Sequence, residues 1–218
     1  MRPIELEIVY DTTAAVASIA TAQLVTAQGA FTLATAWDTV LDDPQRLTFH
    51  STAGYSAVTI SIVGVSPEGW PQSESIAGPS AGGTAVSLYS YGDTALAITI
   101  GTAAGTAVMT IGNASYGAGP WIPLDIYVPN SRTTISTDVG TAATAYSWQF
   151  TNSNIWGENG VPPDPDTILA FDHPVTALVN AATDQYGSTE VLMRAVRIVT
   201  SAPAGGTIRS VVTQQSTV

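Results

Sequence analysis

The sequence predicts an all-β protein, an antiparallel β-sandwich of jelly-roll or immunoglobulin-like type, arranged as two tandem sandwiches. Three observations predict it. Short runs alternate apolar and polar side chains, the two-residue period of a strand with one buried and one wet face. Glycine and proline, 19 and 13 in all, punctuate most of the joints between those runs. The apolar residues are mostly alanine, valine and isoleucine, with threonine and serine at the remaining strand positions. A chain of 218 residues fits one large β domain or two small ones. The stretch Gly112–Pro120 (GNASYGAGP) reads as a linker, which places one domain over residues 1–116 and a second over 117–218.

The N-terminal MRPIELEIVY reads as a first strand, because Ile4, Leu6 and Ile8 alternate with Glu5 and Glu7. It lacks the charged region and continuous apolar core of a signal peptide. From Thr12 to Ala36 alanine favours helix, while recurrent Thr, Val and Ile favour strand. The reading is two strands around a turn at Ala27–Gly29, with a short helix as the alternative. Asp42, Asp43 and Pro44 make a polar approach to the next strand.

The clearest stretch runs from Arg46 to Thr84. Leu47 and Phe49 alternate with Thr48 and His50, Ser51–Tyr55 supplies a glycine-containing hairpin connection, and Val58, Ile60 and Ile62 alternate with Thr59 and Ser61. Pro67 and Gly69 mark the next turn. Further strands are expected at Ala85–Tyr89, Ala95–Ile100 and Thr106–Ile111. In the second half they are expected in WIPLDIYVP, TTISTDV and AYSWQFT, then at Ile168–Phe171, Ala177–Asn180, Val191–Thr200 and Thr207–Gln214. The last two read as a hairpin around Ala202–Gly206. The prolines of Asn152–Asp166 keep that polar loop out of any central strand. The final pair echoes the Arg46 segment, with an arginine opening a strand, a small-residue turn and an alternating return. Such an echo raises an internal duplication as one layout.

The formal net charge is −11, and lysine is absent: six arginines carry all the fixed positive charge. A phosphate backbone is bound by clustered Lys or Arg that displace counterions, so the composition argues against nucleic acid. An anionic membrane surface repels the chain for the same reason. No run approaches the roughly 20 apolar residues of a transmembrane helix. Without cysteine there is no disulfide, thiolate metal site or cysteine nucleophile.

No constellation of reactive residues stands out, and no catalytic, cofactor or metal residue is assigned. His50 reads as surface and His173, between Asp172 and Pro174, as loop polarity. No nucleophile-elbow pattern accompanies either. Asp164, Asp166 and Asp172 are the densest acidic cluster, but prolines separate them and calcium-loop spacing is lacking. Of the five tryptophans, Trp148 alternates with Tyr146 and Phe150 and reads as core, whereas Trp70 and Trp156 lie in turns. Exposed loop aromatics suit a protein interface as well as a sugar platform. Asn113-Ala114-Ser115 is a glycosylation sequon, relevant only on a secretory route.

RLTFHSTAGYSAVTISIVGVSPEGWPQSESIAGP resembles a recurrent pattern of tailed-bacteriophage structural proteins. An arginine-led strand (Arg46), a Ser/Thr-Ala-Gly turn (Ser51–Gly54), an alternating strand ending in glycine (Val58–Gly64) and a Glu then Gly-Pro strand (Glu74–Pro79) occur together. PWIPLDIYV, AYSWQFT and MRAVRIVTS are similar to companion segments, so the resemblance covers most of the chain after about residue 15. It implies a β-sandwich virion component and defines no functional residue. An acidic, lysine-free protein is repelled by packaged DNA, which favours the outside of the shell. The expectation is a non-enzymatic capsid decoration (cement) protein on the outer capsid surface, assembled in the host cytoplasm. Its expected partners are the major capsid protein and further copies of itself. Trp70, Trp156, Arg132 and Arg209 are the candidate interface anchors. A neck, tail or fibre part and a carbohydrate-binding adhesion module are the alternatives.

Overall fold

The computed structural model describes residues 4–11, 15–24, 29–41, 44–101, 108–114, 117–127, 131–140, 145–158, 163, 167–201 and 207–216. In chain order the strands are β1 (Ile4–Asp11), β2 (Ala15–Leu24), β3 (Gly29–Ala30), β4 (Gln45–Ser51), β5 (Thr59–Val65), β6 (Pro71–Ala77), β7 (Thr84–Tyr91), β8 (Leu96–Ile100) and β9 (Val108–Asn113). They continue with β10 (Gly117–Ala118), β11 (Ile122–Pro123), β12 (Ser131–Val139), β13 (Tyr146–Thr151), β14 (Phe171–Asp172), β15 (Gln185–Thr189), β16 (Ala195–Thr200) and β17 (Thr207–Ser216). Helical structure among the described residues is limited to short turns, among them Trp37–Val40 and the 3-10 turn Thr176–Leu178. The protein is all-β, as its alternation predicts.

Residues 13–119 form one compact unit. Its sheets run β2-β9-β4-β7 and β3-β8-β5-β6, with every neighbouring pair antiparallel. Counted from β2, the first, eighth, third and sixth strands make one sheet, and the second, seventh, fourth and fifth make the other. That order is a jelly roll. The alternation explains the core. Leu47 and Phe49 of β4, with Met109 and Ile111 of β9, meet Ile60 and Ile62 of β5 and Ile98 and Ile100 of β8, all buried in one cluster. Between the layers, Asn113 donates to the Gln45 side-chain oxygen (2.6 Å) and accepts from the Ser18 hydroxyl (2.9 Å), so these buried amides are paired.

Residues 1–12 and 120–218 form the second unit. One sheet runs β1-β17-β12-β15; in the other β11 pairs β16, followed by β13 and β14. Taken as eight strands, β1 and β11 to β17 repeat the jelly-roll order. Ile135, Ile208 and Val212 on one sheet pack against Ile122, Tyr146, Trp148, Val196 and Ile198 on the other. Trp148 donates its indole N–H to the Thr137 hydroxyl (3.0 Å), which also accepts from Ser210 (3.1 Å).

Several expectations are corrected. A division into 1–116 and 117–218 puts the first strand in the wrong unit. β1 instead pairs with β17 over eight residues, from Ile4 opposite Gln214 to Asp11 opposite Thr207. The two units are therefore nested in sequence, one inside the first connection of the other. Ser51–Tyr55 is no hairpin: β4 pairs with β7 and β9, whereas β5 pairs with β6 and β8, so the chain arches from one sheet to the other. β16 and β17 likewise lie in different sheets, and the turn expected at Ala202–Gly206 lies outside the described residues. The echo aligned β4–β5 with β16–β17, yet the topological equivalents of β4–β5 are β12–β13. Ala177–Asn180 is no strand but overlaps the 3-10 turn. Strand β15 went unread because QYGST is polar and contains glycine; Gly187 is there because Leu178 packs on it, with Cδ1 2.5 Å from where a Cβ would stand.

Candidate interaction surface

Besides Tyr127, after β11, and Tyr186, on β15, the exposed large apolar side chains of the second unit lie on segments that meet at the far end of β13. Beyond Thr151 the chain runs through Ile155 and Trp156. Ile155 is buried against Trp121, Ala195 and the partly buried Ile168, a small cluster separate from the main core. Its neighbour Trp156 points the other way and is 60% exposed. The turn is fixed locally: the Asn154 side-chain oxygen accepts from Trp156 N–H (3.1 Å), and the Asn154 amide donates to the Gly157 carbonyl (2.7 Å). Arg197 lies 4.3 Å from the centre of the Trp121 ring and sends two hydrogen bonds to the Gln149 side-chain oxygen, holding the base of the cluster.

Two segments flank this turn. On one side the Thr151 hydroxyl donates to the Leu169 carbonyl (2.8 Å), and Leu169 N–H donates to the Ser153 hydroxyl (3.2 Å). On the other, Arg194 N–H donates to the Thr151 carbonyl (2.9 Å) and the Asn152 side chain (3.1 Å). They bring exposed Leu169 and Phe171, and exposed Val191 and Leu192, to the same end as Trp156. Phe171 stacks on Phe150 with ring centres 5.6 Å apart. Five large apolar side chains are thus exposed on the segments that meet at one sheet end, which makes this end the candidate interaction surface.

Of the four anchors read from the sequence, Trp156 belongs to this end. Trp70 sits in the other unit, half-buried where a tight turn joins β5 to β6, its carbonyl accepting from Ser66 N–H (2.7 Å). Arg132 and Arg209 share the outward face of the sheet β1-β17-β12-β15 but lie towards opposite ends of β12, Arg132 opposite Gln215 and Arg209 opposite Asp138. Arg132 is ion-paired with Glu190 (2.7 Å) beside Ser188 and Thr189, over a shallow depression. Exposed and solvated, that pair contributes little to stability. Leu169, Phe171, Val191 and Leu192 were missed by sequence reasoning, because apolar residues beside a proline-rich loop look like ordinary strand positions.

His173 departs from its reading as loop polarity. Its side chain is only 2% exposed. Nδ1 accepts from Val175 N–H (3.2 Å), which places the ring proton on Nε2, and Nε2 is buried without a partner. Burial pulls its pKa down to about 4. His50 is partly exposed beside the Thr84 hydroxyl. Asp164 and Asp166 lie outside the described residues, Asp172 is exposed, and no group of three metal-ligating side chains occurs among the described residues. Trp121 and Trp148 are buried and unavailable to a sugar platform. Comparison of the chain with protein families, with curated proteins and with solved structures finds no match.

Proposed function

We propose that this chain is a non-enzymatic structural protein of a bacteriophage virion, a capsid decoration protein attached to the outside of the major capsid shell. The observation that carries this reading is the apolar end around Trp156, Leu169, Phe171, Val191 and Leu192, which offers buried area rather than a reactive group. The resemblance of the Arg46–Thr84 stretch to phage structural proteins supports it by analogy. The jelly roll, a fold used by viral capsid domains and also by lectins and cupins, is compatible with it. The net charge of −11 disfavours the DNA side of a shell.

Purified protein mixed with capsids that lack it, followed by density mapping, tests the proposal. Stoichiometric, icosahedrally arranged density on the outer shell is the expected result. Absence of binding overturns it, and density only at the tail vertex replaces it with a neck or tail role.

A further inference from the structure

The edge strand β14 carries a feature that the apolar end alone does not explain. β14 pairs with β13 on one side and has no neighbour on the other among the described residues. His173 N–H donates to the Trp148 carbonyl (2.9 Å), and Phe171 lies opposite Phe150. In an antiparallel pair, residues bonded to the partner strand alternate with residues whose N–H and C=O face away. Leu169, whose N–H and carbonyl both meet side chains of the Thr151–Ser153 segment, keeps this rhythm. Ala170 and Asp172 therefore direct their backbone groups outward. The side chains follow the same period: His173 is buried, Phe171 sits at the rim on Phe150, and Leu169 is 63% exposed.

The topologically equivalent strand of the other unit, β6, is finished differently. The Glu74 carboxylate accepts from Leu88 N–H (2.8 Å), Tyr89 N–H (3.3 Å) and the Tyr91 hydroxyl (3.0 Å), and Gln72 donates to the Ser90 carbonyl (2.6 Å). Polar side chains tie β6 to β7 and blunt the edge. At β14 no such tie exists among the described residues, and apolar side chains stand in its place.

We propose that β14 accepts an added β-strand, an extended segment of a protein partner with apolar side chains at alternate positions and lysine or arginine between them. Strand addition draws on main-chain hydrogen bonds for affinity and on alternate side chains for selection. Ala170 and Asp172 supply the first, and Leu169 and Phe171 the second. The basic character follows from charge: the chain carries −11, and exposed Asp172 and Glu158 lie on or beside this end. A second copy, equally acidic, is disfavoured. The inference rests on the attachment role proposed above, for which it supplies the mode of contact.

The probe is a synthetic peptide alternating lysine and valine, titrated against the full chain while amide hydrogen exchange is followed. Exchange is expected to slow at Ala170 and Asp172 and to stay unchanged at Phe171. Asp172→Pro removes an outward N–H and no bond to β13, so it is expected to weaken the peptide by about tenfold with an unaltered melting curve. Ala170→Pro is the second variant should the first fail to fold. Unchanged exchange at both amides under excess peptide overturns the inference, as does equal binding of a peptide with its lysines and valines in blocks. Capsid binding without peptide protection leaves the attachment role standing and overturns strand addition. Peptide protection without capsid binding does the reverse.

Discussion

His173 and Glu74 show opposite ways of placing a titratable group in a sandwich. The imidazole of His173 takes a proton near pH 6.5 in an unfolded chain and near pH 4 in the fold, because burial disfavours its charged form. Between those values the unfolded chain binds more proton. Stability is therefore full above about pH 6.5, falls as the pH drops towards 4 and levels off below, a loss of at most about 3 kcal/mol. Urea melts at pH 7 and pH 5 should show this fall, and His173→Asn, which keeps an acceptor near Nδ1, should remove most of it. Glu74 instead sits part-buried among three donors, and Tyr91, raised first by burial and then by that carboxylate, stays protonated. Glu74→Ala strands those donors and is expected to cost about 2 kcal/mol by chemical denaturation. Trp156→Ala touches no core cluster. Under the proposed attachment role, its expected signature is unchanged stability with capsid binding weakened by about thirtyfold, the loss typical of an aromatic anchor.

At the scale of the element, the Glu then Gly-Pro pattern acquires a structural meaning. β6 carries Glu74 into its bonds with β7 and then ends at Gly78, where the Tyr55 carbonyl lies 2.6 Å from the position of an added Cβ. Gly78 N–H donates to the Val58 carbonyl (2.8 Å), and Tyr55 N–H donates to the Pro79 carbonyl (2.7 Å), so the arch between the two sheets is locked onto the end of β6. Gly78→Ala forces backbone apart and is expected to destabilise by about 2 kcal/mol or more, measured as a shifted denaturation midpoint with unchanged slope. This arch also marks how far the sequence was legible. The inward faces of β4, β5 and β13 followed directly from alternation, since Leu47, Phe49, Ile60, Ile62, Tyr146 and Trp148 are all buried. The pairing did not follow, because an alternating strand, a glycine turn and a second alternating strand describe an arch as well as a hairpin. The choice between them is made by β7 and β9, tens of residues away. Trp156 was legible as exposed from its polar neighbours. His173 was not legible as buried, because flanking Asp172 and Pro174 look like a loop whichever way the ring turns.

For the whole molecule, the nesting of one jelly roll inside the first connection of the other has separable consequences for folding. Residues 13–119 contain all eight strands of the sheets β2-β9-β4-β7 and β3-β8-β5-β6, so this fragment is expected to melt cooperatively by itself. Residues 120–218 lack β1 and leave one side of β17 unpaired, an open edge that invites aggregation. They are expected to aggregate alone and to be rescued by a peptide of residues 1–12, with light scattering as the readout. During synthesis β1 leaves the ribosome before the inner roll, and β17, which it pairs, leaves after it. The inner roll is complete while the outer one still waits for its closing strand, so β1 has no ladder partner until β17 has been made. A ribosome that stops between β9 and β17 releases a finished inner roll on an outer one that cannot close. Closure of the outer roll thus waits for β17, and quality-control proteases that seek unpaired strands are expected to find products truncated before it first.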